Sequence, residues 1–520
     1  MILKSYQSGG NAISPILAAT PIVRPAAIGS RDECGGHPKG LMRPGSAAKV
    51  AGSTIQKETK VSIKKISQKG TSANIKIRKR LLGVLCAVAA GSLLTACNDG
   101  GGDWTEVTQG VVIRNATIVD TRDGSLTSGK TIVVDGGKIK TITSDPVRTA
   151  GTAQAVDAIG KYVVPGFVDM HAHVVETADL QPTFFPLLIA NGITAFREES
   201  TTDANIARGK QLNADSAAGR IDAPEVIFDG VEEHLDPAES AFDASNRGIP
   251  SVDHLGAGIG LIMDCSTQAQ SIRADFLAMS FKLFPPPPPP FSLSNFILNP
   301  RAYDGAQNAP FYQRVLDTYD EALCKSLSQT FVRNNTWQTP TLIRLRTQDW
   351  GDDPVYTQAP NLVYVAKSRL ALWQQTADQF STMPTTAVST LHDYYELQKR
   401  VTLLMKRNGV KMLAGSDVGG AWVVPGFSLQ QEFHELAAAG LSPLEVLQTT
   451  TLNPAEFLKR QSSMGTVEEG KNADLVLLDA NPVDGVDNLG KIAGVVLKGR
   501  YFSKTALDKL KSDVAAAYAS

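Results

Sequence analysis

The chain has 520 residues, 42% of them hydrophobic and 20% charged, and a formal net charge of −1. That length suits two or three ordinary domains, or one large α/β barrel beside a smaller unit, and the composition excludes a wholly disordered, collagen-like or multi-span membrane chain. A near-zero charge points to no nucleic-acid partner.

The charge balance averages two unlike parts. Residues 1–80 hold 15 Lys and Arg against 3 Asp and Glu, and the remainder holds 36 against 49. Residues 1–75 are rich in Gly, Pro, Ser and Lys without a sustained period, so they are expected to join no fold, as a disordered or non-native leader. IKIRKR (Ile75 to Arg80) is followed by the apolar run LLGVLCAVAAGSLLTAC, which ends at Cys97. Its 17 residues are short for a membrane span, but basic flank, apolar stretch and small residues are the parts of an export signal. Leu94, Thr95, Ala96 and Cys97 resemble a bacterial lipobox, in which the Cys is acylated and becomes the mature N-terminus. Residues 76–97 are therefore expected to be a lipoprotein-type signal segment. The mature protein would be exported and membrane-anchored through Cys97, facing the periplasm or the cell exterior. A plain anchor helix is the alternative.

Of the five cysteines, export would leave Cys265 and Cys324 as the unmodified thiols of the mature chain. Both would meet an oxidising compartment. A disulfide between them and two separate buried thiols stay open, because sequence does not supply the Cα separation.

From Gln109 the pattern turns to short β-rich runs. VVIRNATIVD, Asp123-Gly124 and TIVVDGGKIKTI with Asp135-Gly136 read as hairpins. ADLVLLD (Ala473 to Asp479) and GVVLKGRYF (Gly494 to Phe502) read as further strands, so residues 98–165 and 461–520 are expected to build one small β-sandwich domain from both ends of the mature chain. Between them, residues 166–460 alternate apolar runs with helical stretches such as FSLQQEFHELAAAG, the rhythm of a TIM (β/α)8-type barrel. Pro285 to Pro290 is a low-complexity insertion expected to form an exposed loop or spacer.

Chemistry enters at VVPGFVDMHAHV. His171 and His173 stand two apart at the end of an apolar strand, so both imidazoles share one face and can bind one metal. His234 in VEEHLDP and His254 in GIPSVDHLGAG are single histidines that a barrel could direct to the same place. Asp417 in KMLAGSDVGG ends another apolar run, the strand-end position where barrel enzymes hold catalytic groups; a helix N-cap is its structural alternative. Imidazole nitrogen with carboxylate oxygen suits a divalent metal, zinc before manganese, iron or nickel. His434 lies on a helix and is expected at the surface.

These residues resemble the amidohydrolase superfamily, in particular exported metal-dependent hydrolases of the imidazolonepropionase and Xaa-Pro dipeptidase kinds. The resemblance runs from about Val111 to Phe502, through PGFVDMHAH, HLDPAESAFDASNRGIPSVDH, NTWQTPTL, AGSDVG, AGLSPLEVLQTTTLNPAEFL and GTVEEGKNADLVLLDANP. It implies metal ligands from strand one (His171 and His173), strands five and six (His234 and His254) and strand eight (Asp417). It further implies that Asp417 is the catalytic proton carrier in hydrolysis of a C–N bond, with a small-molecule amide, cyclic amide or short peptide as substrate.

One family part is out of place. Many members bridge two metals with a carboxylated Lys on strand four, but the only Lys between His173 and His234 is Lys210, in what reads as a helix. Those histidines are 61 residues apart, too few for four βα units at ~31 residues each, so the barrel is expected to lack one or two units. His254 to Asp417 spans 163 residues, long enough for a large insertion, and Lys282 comes too late in the chain to serve strand four. Three readings stay open: a single-metal site, a bridging acid such as Glu232 or Glu233, or a catalytically impaired barrel kept as a lipid-tethered binding or vestigial protein.

Overall fold

The computed structural model describes residues 104–177, 181–228, 234–280 and 293–519. The expected leader, the signal segment with Cys97, and Glu232, Glu233, Lys282 and Pro285 to Pro290 lie outside these residues. None of the described helices is long and apolar enough to cross a membrane.

The N-terminal strands are β1 (Thr105–Val107), β2 (Val111–Val119), β3 (Leu126–Asp135), β4 (Lys138–Thr143), β5 (Val147–Thr149), β6 (Gln154–Asp157) and β7 (Tyr162–Pro165). They are followed by β8 (Phe167–Ala172), β9 (Ile193–Glu198), β10 (Glu225–Ile227), β11 (Ser251–Asp253) and β12 (Trp337–Thr339), and late in the chain by β13 (Leu475–Leu478), β14 (Ile492–Leu497) and β15 (Arg500–Ser503).

The two ends of the described chain meet in one sheet of eight strands, ordered β15-β14-β13-β7-β2-β3-β4 with β6 also on β2; β1 and β5 form a separate pair. The junction is the antiparallel pairing of β7 with β13, Val164 opposite Val476. Val111, Ile113, Ile132, Val134, Val163, Leu475 and Val496 close a core on this sheet. The expected tail is a helix, Lys504–Ala519, whose Tyr518 hydroxyl lies 2.6 Å from Thr183 on the helix Gln181–Ala190.

Gly166 turns the chain from this sheet into a second, parallel set of strands. A Cβ there would stand 2.1 Å from the Thr194 hydroxyl, so no larger residue fits without displacing β9. Every residue of β8 and β9 is buried, as parallel strands covered on both faces require. β8, β9 and β10 pair in parallel, and so do β11 and β12. The extended segment 410–418 joins the two groups through parallel bridges from Met412 to Gln338 and from Val418 to Ala172. Six parallel segments therefore run in the order β10, β9, β8, 410–418, β12, β11. The fold is of the mixed α/β, barrel type.

The long stretch between β11 and segment 410–418 is mostly helical, with helices Arg301–Thr318, Glu321–Asn334, Leu342–Asp349, Lys367–Phe380 and Thr385–Arg407. Cys265 and Cys324, both wholly buried, are joined as a disulfide with their Cα atoms 4.7 Å apart. Of the two states left open by the sequence, the bonded one is present. It ties the chain after β11 to the helix Glu321–Asn334 across a separation of 59 residues. Cys324→Ser is expected to lower the unfolding free energy by about 4 kcal/mol, the loop-closure entropy for that span, read as a shifted denaturant midpoint without reductant. An unchanged midpoint would mean that the bond does not constrain the unfolded chain.

Candidate functional site

Four of the five singled-out side chains converge where β8, β11 and segment 410–418 end. Nε2 of His171 is 3.6 Å and Nε2 of His173 is 3.3 Å from Oδ1 of Asp417, and Nε2 of His254 is 3.7 Å from its Oδ2. His234, partly buried, has its ring centroid 5.2 Å from that of His254. His171, His173, His254 and Asp417 thus border one space at the C-terminal ends of the strands, the functional face of a barrel, and His234 packs edge-on against the His254 ring.

Local sequence explains the approach. Gly415 passes directly against β8, where a Cβ would fall 2.6 Å from Cβ of His171 and 2.7 Å from Thr339. Any larger residue would push Asp417 off the imidazoles. Asp169, two residues before His171, accepts hydrogen bonds from the Ser416 amide at 2.9 Å and the Ser416 hydroxyl at 2.6 Å, which locks segment 410–418 to β8. Burial pushes the Asp169 carboxyl up to about 6, against those hydrogen bonds. Asp417 and His254 both have positive φ, 52° and 54°. Non-glycine residues held there store about 1–3 kcal/mol each and cluster at functional sites.

Each Nδ1 faces an oxygen partner. For His171 it is Asp253 at 2.8 Å, for His173 Ser200 at 3.5 Å, and for His254 the Thr341 hydroxyl. With Nδ1 as the protonated nitrogen, the three Nε2 atoms face the Asp417 carboxylate as lone-pair donors, the arrangement usual for metal-ligating histidines. His171, His254 and Asp417 each place one ligand atom within 4.8 Å of the others. Two imidazoles and a carboxylate in this geometry, with Nε2 of His173 3.3 Å from the same carboxylate, suit a divalent cation of the zinc type.

Several functional neighbours were not legible in the sequence. Arg344, on the helix Leu342–Asp349, donates through Nε to Oδ2 of Asp417 at 2.9 Å and through its other nitrogens to the carbonyls of Leu298 and Ile297. Burial opposes ionisation of Asp417, but before any cation enters, the charge of protonated His254, a hydrogen bond from His173 and the charge of Arg344 outweigh it and hold the carboxyl far below the usual range. Glu198 accepts the amides of Val174 and Val175, both at 2.7 Å, and pins the loop carrying His173; burial pushes its carboxyl up to about 7. Asp253, just before His254, is raised by burial, but Arg197 and His171 bring it below its ordinary value. Its adjacency to His254 was the one available signal. Lys210 is exposed on the helix Asp203–Ala217, and His434 is half exposed and paired with Asp487.

The turn after His254 is held by the inserted helices. Arg301 donates to the Gly258 carbonyl at 3.1 Å and to Asp349 at 2.9 Å, while the Tyr394 hydroxyl donates to the Ile259 carbonyl at 2.6 Å. Burial pushes both Asp304 and Asp349 up to about 6, since one guanidinium serves two carboxyls. A carboxyl raised in the fold lends stability that is complete below its ordinary value and lost as pH rises through the raised one. The urea midpoint is therefore expected to fall between about pH 4 and 6, with a flatter fall in Asp304→Asn. An equal slope in the variant would place the pH dependence elsewhere.

Fold and site together define a barrel-type α/β protein with an imidazole–carboxylate cluster at its strand ends. Residues 398–501 match the family model of the amidohydrolase family, a stretch that holds Asp417 but none of His171, His173, His234 and His254. An adenine deaminase of Rubrobacter xylanophilus is 31% identical over 110 residues, 21% of this chain and 18% of that protein. A dihydroorotase of Thermoanaerobacter is 41% identical over 64 residues, 12% of this chain and 14% of that one. The chain thus spans less than a fifth of the length of these curated relatives. Among solved structures, bottromycin amidohydrolase is similar in fold, with a TM-score of 0.52 and 18% identity over 78% of this chain and 90% of that one. The amidohydrolase resemblance read from the sequence therefore stands on a family match at residues 398–501 and on a barrel-type fold.

Proposed function

We propose that the protein is a metal-dependent hydrolase of the amidohydrolase superfamily that cleaves C–N bonds. The observation that carries this is the convergence of three Nε2 atoms on the Asp417 carboxylate at the strand ends. The family match and the relatives named adenine deaminase and dihydroorotase support the bond class. In this reading His171, His173, His234, His254 and Asp417 hold a divalent cation, zinc by donor chemistry, in a (β/α)8-type barrel that lacks one or two βα units. Small amides, cyclic amides and short peptides are the substrates.

When bound, a divalent cation here supplies Lewis acidity to the substrate carbonyl and lowers the pKa of a water toward neutrality. The chain's own residues do the rest. Asp417, ionised and fixed by Arg344, takes the proton of the attacking water and delivers it to the leaving nitrogen. Asp253 and Thr341 hold the His171 and His254 rings so that Nε2 faces inward.

The second reading, a binding or vestigial module, is favoured by Arg344, whose charge on Asp417 weakens that carboxylate as a base. The deciding experiment measures metal content of the purified full chain beside hydrolysis of a panel of dipeptides, N-acyl amino acids and cyclic amides. Stoichiometric metal with turnover supports the hydrolase; absence of both supports the module.

Export and lipid anchoring through Cys97 belong to the same proposal. A buried disulfide between Cys265 and Cys324 supports an oxidising compartment for residues 104–519. Labelling with a radioactive fatty acid, lost in Cys97→Ala, checks the anchor.

A further inference from the structure

A second group of metal-type ligands lies on the other side of the His171 ring. His171, Glu199 and Asp253 place one ligand atom each within 4.8 Å of one another, all buried. Nδ1 of His171 is 2.8 Å from Asp253 and 3.9 Å from Oε1 of Glu199. Taken alone, two buried carboxylates beside an imidazole would accept a divalent ion.

That position already holds a cation belonging to the chain. Arg197, on β9 and wholly buried, reaches Asp253 through Nη2 at 2.5 Å and Oε1 of Glu199 through Nε at 2.6 Å. The same Nε donates to the Met170 carbonyl at 2.7 Å, and Nη2 lies 3.5 Å from the Thr339 hydroxyl. Ser251 donates to the remaining oxygen of Asp253 at 2.7 Å. The buried guanidinium carbon lies 5.6 Å from the centroid of the Phe457 ring. An arginine cannot lose its charge, and its planar fork suits two carboxylates at once. A divalent ion among the same oxygens would meet that fixed positive charge in a medium that screens it poorly.

We infer that Arg197 takes the place of a metal ion in this second cluster, so that the cation binds on the Nε2 side of His171 and none on its Nδ1 side. The inference rests on the metal-dependent reading above and deepens it. Arg197 is a positioning residue, because it touches neither the cation nor the substrate. It holds Asp253, and Asp253 in turn holds the His171 proton on Nδ1. Among the described residues, this makes one line of contacts from β9 through β11 to the first ligand of β8.

The test uses the full chain, stripped with chelator, reloaded with excess Zn(II), desalted and counted for zinc per chain, with affinity read by competition against a chromogenic chelator. The zinc count of the unaltered chain, expected on the Nε2 side of His171, is the reference for the variants. Asp253→Asn, of the same shape but without the charge that Arg197 and His171 share, is expected to keep that count while losing roughly 10–100-fold in affinity. Arg197→Met should lose affinity by the same order and Arg197→Lys should recover part of it. Zinc affinity in folded Arg197→Met equal to that of the unaltered chain would overturn the inference, since Arg197 would then hold nothing in place. Unchanged affinity in folded Asp253→Asn would remove the positioning role, whether or not Arg197→Met folds. A chain that binds no zinc would instead sink the metal-dependent reading itself, a result distinct from either.

Discussion

Asp417→Asn is expected to lower kcat on any C–N substrate that the protein turns over by roughly 10²–10⁴-fold, the range for a lost proton-transfer group. Asparagine keeps the shape of the side chain and can still accept from Arg344, but it cannot take a proton from water at neutral pH. The carboxyl is held far below its ordinary range by His254, His173 and Arg344 despite burial. It therefore stays ionised across the working range, so the variant should lose height throughout its pH–rate profile without gaining a new inflection near neutrality. Steady-state rates over pH 5 to 9 for both forms decide this. Turnover within threefold of the unaltered chain would take Asp417 out of the reaction. If the unaltered chain turns over nothing in the panel, the Arg344 pairing becomes the explanation and the binding-module reading gains ground.

Residues whose chemistry is local were legible, and residues whose role depends on distant partners were not. His171 and His173 announce themselves by a period-two spacing at the end of an apolar run, and Asp417 by an acid after Gly415 and Ser416. Arg197, Glu199 and Arg344 carry no such mark, because nothing near them in sequence says which buried carboxylate or imidazole they meet. Arg197 finds Asp253, 56 residues on, and Arg344 finds Asp417, 73 residues on, only when β9, β11 and segment 410–418 are assembled. The 61-residue gap from His173 to His234 is a signal of another kind, since a βα unit has a minimum length. Among the described residues, β10 is the last strand before His234 and β11 ends directly at His254. The helical content of the insertion was harder to read. The Arg301, Tyr312 and Asp349 network gives its helices polar residues at buried positions, which blurs the apolar period a sequence reading depends on.

Removal of the cation should abolish turnover and also destabilise the fold, and the two losses should be restored together. The ligand groups come from β8, β11 and segment 410–418, three pieces separated by long stretches of chain. An ion held by all of them stabilises only the assembled state, by RT ln(1 + [L]/Kd), about 4 kcal/mol at a thousandfold excess over Kd. Exhaustive chelation is thus expected to lower Tm by several degrees, with the loss spread over the parallel strands and the turn after His254. The sheet that joins β7 to β13 should be less affected, since it has its own core of Val163, Leu475 and Val496. Hydrogen exchange of chelated and zinc-reloaded protein would show this as loss of protection at 167–175, 251–260 and 410–420, with 111–143 unchanged. Zinc should return Tm, protection and activity in the same titration. Activity that survives stripping, with Tm unmoved, would mean that the three imidazoles and Asp417 serve the fold and not a cation.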